Sequence, residues 1–101
     1  MPVDPDDLLA DWGRRAEQQA TLTAELSERM QQTTATVEAH GGEAVVTVDS
    51  SGGLADLRLT ERAMRLPAGE LAEIILLTSR RAQATMAQEI AGVVADVYGA
   101  G

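Results

Sequence analysis

Residues 34–60 read TATVEA (34–39), HGGE (40–43), AVVTVD (44–49), SSGG (50–53) and LADLRLT (54–60). Ala35, Val37 and Ala39 alternate with Thr34, Thr36 and Glu38. Val46 and Val48 alternate with Val45, Thr47 and Asp49, and Ala55, Leu57 and Leu59 alternate with Asp56 and Arg58. Such period-two alternation gives each strand one apolar and one largely polar face, the pattern of an antiparallel sheet covered on one side. Gly41-Gly42 and Gly52-Gly53 supply the positive-φ positions that tight hairpins need. Strands are therefore expected over about 34–39, 44–50 and 53–60. A three-strand meander is too small to be a domain alone, so the flanking segments must supply its cover.

Upstream, Asp4-Pro5 combines a capping carboxylate with proline at the first helical position, and Asp6 and Asp7 suit the positive end of a helix dipole. Leu8, Trp12, Arg15, Gln19, Leu22, Leu26 and Met30 recur at spacings of three and four, which predicts a helix over about 5–32. Asp11 with Arg15, and Glu25 with Arg29, form acid-first pairs one turn apart. Downstream, a connector from Glu61 to Leu66 leads to Pro67. Leu71, Ile74/Ile75, Thr78, Ala82, Met86, Ile90, Val93/Val94 and Val97 then make a stripe out to Tyr98, and Gly99 stops it. A helix over 67–98 is ~48 Å long at ~1.5 Å per residue. A compact chain of this size has a radius of gyration of only ~13 Å. The stripe must overshoot the sheet, and projecting apolar surface calls for a partner. The expected architecture is one α+β domain over 1–101, ordered α-β-β-β-α, as a homodimer. Leu22, Leu26, Met30, Met86, Ile90, Val93, Val94 and Val97 would form the dimer or partner seam.

The composition narrows the function. There is no cysteine, which removes disulfides, thiolate nucleophiles and zinc–thiolate sites. Trp12 and Tyr98 are the only aromatics, so the core must be built from Leu, Ile, Val, Ala and Met. The N-terminus MPVDPDDLL has neither a basic region nor an apolar run, and the longest apolar run is Ile74–Leu77. A soluble cytoplasmic protein without a membrane partner is expected. His40, the only imidazole, lies in a Gly-rich turn with no second ligand or orienting group in view. Ser50-Ser51-Gly52-Gly53 lacks the lysine and the strand-to-helix context of a phosphate-cradling loop. With no catalytic constellation and no cofactor motif, the chain reads as an interaction module and not as an enzyme.

The charge is −8, and all eight basic residues are Arg. Residues 1–33 hold 7 acids and 3 Arg, residues 34–60 hold 4 and 1, and residues 61–101 hold 5 and 4. A field of this sign repels nucleic acid and anionic lipid, so any DNA contact has to come from a local Arg cluster. Arg80 and Arg81 have no acid three or four positions away, and Arg62 and Arg65 lie on the connector. These four are the candidate phosphate contacts, with Arg14 and Arg15 as helpers.

The segments EAVVTVDSSGGLADLRLTERAM (43–64) and LPAGELAEIILLTSRRAQATM (66–86) resemble the YbaB/EbfC family of bacterial nucleoid-associated DNA-binding proteins. The likeness rests on Val46 and Val48, the Gly52-Gly53 turn, Leu54, Leu57 and Leu59, and the proline-initiated helix at Pro67, and it covers roughly residues 5–98. The resemblance implies an intertwined homodimer with a shared sheet and protruding helices, binding DNA with little sequence specificity in the nucleoid. Members commonly carry Asn-Asp before an Ala in the second helix, where this chain has Arg80-Arg81-Ala82, and many carry basic extensions that it lacks. An acidic, Arg- and Ala-rich chain looks similar to divergent actinobacterial members, some associated with type VII secretion loci. For such a member the alternative is a homodimeric scaffold or chaperone-like module that binds a helical protein partner through Ile90–Val97.

Overall fold

In the computed structural model, which describes residues 4–99, two long helices flank a three-stranded sheet. The first helix, α1, spans Pro5–Gln32, and the second, α2, spans Ala68–Tyr98. Strands β1 (Ala35–Glu38), β2 (Ala44–Val48) and β3 (Leu54–Leu59) form an antiparallel meander in the order β1-β2-β3. A single 3-10 turn, Ala63–Arg65, links the sheet to α2.

Local chemistry sets the boundaries. The Asp6 N–H donates to the Asp4 carboxylate at 3.1 Å, which caps α1 and leaves Pro5 inside the first turn. Gly99 closes α2 in the left-handed conformation, its N–H donating to the Ala95 carbonyl. Pro67 stands just before α2 as its capping residue, with extended backbone. β2 stops at Val48 because Asp49 turns the chain: its Oδ1 accepts from Ser51 N–H (3.0 Å), Ser51 Oγ (2.6 Å) and Gly53 N–H (3.0 Å). Gly42 and Gly52 take the positive φ that the two hairpins require, at 76° and 84°.

The register decides which side chains face α2. Ala35 pairs with Val48 and Val37 with Val46, while Ala44 pairs with Leu59 and Val46 with Leu57. A bulge between Thr47 and Val48 leaves Ala55 without a partner, so Leu54 lies opposite Val48. Leu54, not Ala55, thus joins Leu57 and Leu59 on the inner face. Ala35, Val46, Val48, Ala82 and Met86 form the core, with Val37, Leu57 and Ile90 packed at its edge. Thr78 is the one buried polar side chain described, and its hydroxyl donates to the Ile74 carbonyl at 2.7 Å.

α2 does run past the sheet, and α1 returns alongside the overshoot. Ala35, just after α1, sits beside Met86, whereas Arg29 reaches Asp96, ten residues further along α2. The two helices are therefore antiparallel. Leu22, Leu26 and Met30 are half-buried, and Val93 and Val97 of α2 are buried. The free overshoot belongs to α1. From Arg29 back to Pro5 it continues for ~36 Å beyond the crossing, at ~1.5 Å per residue, with no buried residue anywhere in the helix. The molecule measures 78 × 22 × 16 Å with a radius of gyration of 21.7 Å.

Two consequences can be measured. Met86→Ala removes most of a core side chain that is 3% exposed, and urea denaturation should show a loss of about 2–5 kcal/mol. Met64→Ala, at a site that is 63% exposed, should stay within about 0.5 kcal/mol. The Ser51 hydroxyl and then the Gly53 N–H hold the Asp49 carboxyl below its ordinary range. A depressed carboxylate stabilises the fold above the unfolded-state value, and that contribution disappears as pH falls through the folded one. Asp49→Ala should lower the thermal midpoint at neutral pH, with the gap from wild type closing as acid protonates the carboxyl below its ordinary range. A gap that persists in acid would contradict this role.

Candidate nucleic-acid interface

The eight Arg side chains fall into two groups. Arg14 and Arg15 both meet Asp11, at 3.7 and 3.0 Å; Arg29 meets Asp96 at 3.1 Å and Arg58 meets Asp56 at 3.1 Å. The expected Glu25–Arg29 pair is replaced by this cross-helix contact. Arg62, Arg65, Arg80 and Arg81 make no salt bridge among the described residues.

Two of these four converge. One Arg62 guanidinium nitrogen donates to the Gly41 carbonyl at 3.1 Å, and one from Arg81 donates to the Glu38 carbonyl at 3.2 Å. Each thus grips the β1–β2 hairpin from a different element, the connector and α2. A bond to a neutral carbonyl orients a guanidinium without cancelling its charge, and it leaves further N–H donors free. Arg65 ends the adjoining 3-10 turn and is exposed. His40 is exposed on the same turn, beside a hollow of about 190 Å³ whose walls include Glu43, Ile74, Leu77 and Arg81. Glu38 and Glu43 also belong to this end of the sheet, so the patch is mixed and not uniformly basic.

The remaining candidates lie elsewhere. Ala82 is fully buried against the sheet, and Arg80, about 200° away around the helix, is exposed on the opposite side of α2. Arg80 and Arg81 therefore do not form one patch within a chain. Arg14 and Arg15 sit on the free part of α1, ~45 Å along the axis from Arg81, and share the Asp11 carboxylate. Of the expected seam, Met86, Val93 and Val97 are buried within one chain, Ile90 packs at the edge of the core, and Val94 is exposed. Among the described residues no group of three His, Asp or Glu could hold a metal, and no helix is long and apolar enough to cross a membrane.

The sequence reading did not single out Leu54, Leu76 or Leu77 as surface residues, yet each is more than half exposed. Their exposure follows from the bulge and from the position of α2, neither of which leaves a composition signal.

A meander covered on one side by one long helix and extended by a second defines a class of small two-layer α+β folds. The family comparison is specific within that class. Residues 8–101 match the YbaB/EbfC DNA-binding family, and the chain belongs to it. No curated protein matches the chain.

Proposed function

We propose that this is a homodimeric, nucleoid-associated DNA-binding protein of the cytoplasm that contacts duplex phosphates with low sequence specificity. Membership of a DNA-binding family supports DNA as the partner. The observation that carries the site assignment is the division of the Arg side chains. Four are engaged by carboxylates, while Arg62, Arg65, Arg80 and Arg81 have no such partner among the described residues, and Arg62 and Arg81 are held in place by carbonyls of the β1–β2 hairpin. Positioned guanidinium groups with spare donors suit phosphate oxygens, and phosphate contacts fix register without reading sequence. A net charge of −8 makes the approach unfavourable at long range, so binding depends on short-range contacts and two chains are needed to multiply them.

Fluorescence anisotropy with a labelled duplex over a salt series tests this reading. Affinity should fall steeply with salt, and Arg81→Ala should reduce the slope of log K against log salt by about 1. Arg62→Glu combined with Arg81→Glu should abolish binding, while Arg14→Ala with Arg15→Ala should leave most of it. Absence of any complex at low salt would refute the DNA reading and favour the protein-partner alternative. Binding insensitive to Arg62 and Arg81 would refute the site alone. Light scattering should report twice the chain mass.

A further inference from the structure

The two hairpins of the sheet use their acidic residues differently. In the β2–β3 hairpin the Asp49 carboxylate builds the turn, accepting from the Ser51 N–H, the Ser51 hydroxyl and the Gly53 N–H. The β1–β2 hairpin is built without carboxylates. The Gly42 N–H donates to the Ala39 carbonyl at 2.9 Å and the Ala39 N–H to the Ala44 carbonyl at 2.8 Å. From the connector side, the Thr60 N–H and hydroxyl donate to the Glu43 carbonyl at 3.0 and 3.2 Å. Glu38 and Glu43 flank this turn, yet among the described residues neither carboxylate is paired with an Arg.

Their positions are nonetheless specific. The Glu43 carboxylate is folded back over Gly41 and occupies the space that a side chain there would need. One Glu38 carboxylate oxygen reaches the second glycine, 3.3 Å from where a Cβ of Gly42 would stand. Arg62 and Arg81 are fixed on the same few residues, through the Gly41 and Glu38 carbonyls. Glu43 and Arg81 also wall the same hollow of about 190 Å³. Two anchored guanidinium groups and two carboxylates thus surround one turn, and their charges cancel.

We infer that Glu38 and Glu43 form a built-in anionic screen over the phosphate site, which a duplex must push aside to reach Arg62 and Arg81. This rests on the DNA reading proposed above and adds the element that limits its affinity. A phosphate brought to the two Arg side chains meets the carboxylates at short range, where like charges repel. The guanidinium groups are pinned by backbone carbonyls, so the acidic side chains are the ones that turn away. A single phosphate gains little from replacing a carboxylate that is already in place. A duplex that engages several such sites at once gains more, so the screen favours long polyanions over isolated phosphates.

The test compares wild type, Glu43→Gln, Glu38→Gln with Glu43→Gln, and Glu17→Gln by fluorescence anisotropy with a labelled duplex. Glu17 is on the free part of α1, ~40 Å along the two helix axes from Arg81. Its variant makes the same change in net charge as Glu43→Gln, but at about 0.1 M salt it lies far beyond the ~10 Å screening length. Glu43→Gln should tighten binding about fivefold and the double variant further, while Glu17→Gln stays within about twofold. The gain should shrink as salt rises, because salt screens repulsion between exposed charges. Equal effects of Glu43→Gln and Glu17→Gln would reduce the gain to net charge and overturn the screen while leaving the DNA reading intact. Weaker binding by Glu43→Gln would also overturn it, by making Glu43 a support for the Arg side chains. No complex with wild type or any variant would overturn both.

Discussion

The contact between α2 and the first two strands is made through small side chains, and much of the molecule follows from that. Ala35, Ala44 and Ala82 are each no more than 5% exposed, and they let the helix backbone lie close to β1 and β2. Val46, Val48 and Met86 fill the space that remains. Burying each of the larger side chains contributes about 1.5–3 kcal/mol, a small total for a chain of 101 residues. A helix held this near to two strands cannot also cover the third. The same closeness that makes the core leaves β3 half dressed, and the chain is thin, long and rich in exposed apolar surface.

Much of this frame was legible in the residues. Alternation in 34–60 gave the meander, glycine positions gave the hairpins, and caps at Asp4 and Gly99 marked the helix ends. The bulge at Ala55 was not legible, because the alternation of Ala55, Leu57 and Leu59 is itself regular and conceals the slip. The direction of α1 was also hidden. Its stripe from Leu8 to Met30 is interrupted only by Arg15 and Gln19, but just its last third meets α2, so periodicity alone does not mark where intramolecular packing ends. For the site, the sequence could identify Arg80 and Arg81 as lacking acids on their own helix. It could not show that Arg81 and Arg62 would meet at Glu38–Gly41. That convergence depends on two long-range hydrogen bonds.

The charge pattern and the fold are consistent with each other. Acidic residues concentrate on α1, and the Arg side chains without carboxylate partners among the described residues lie on the connector and α2. Exposed ion pairs such as Arg29–Asp96 contribute about 0–1 kcal/mol, so they align the helices more than they hold them. The Arg side chains bonded to backbone carbonyls retain their full charge and gain a fixed direction. A protein with a strongly acidic balance can thus still present oriented cations, provided that they are few and placed by the backbone.

The unpaired residue at Ala55 also bears on how the gene for such a chain can change. Side chains in a strand alternate with period two, so one inserted or deleted residue would exchange inner and outer faces from that point on. The bulge absorbs one such step between the Gly52-Gly53 turn and Leu57, keeping Leu54 and Leu57 on the same side. Removing Ala55 would therefore give a regular ladder in which Leu54 still lies opposite Val48, on the inner side. At the bulge a single residue can thus be lost without exchanging the faces of β3, whereas loss of Arg58 would put Leu57 and Leu59 on opposite sides.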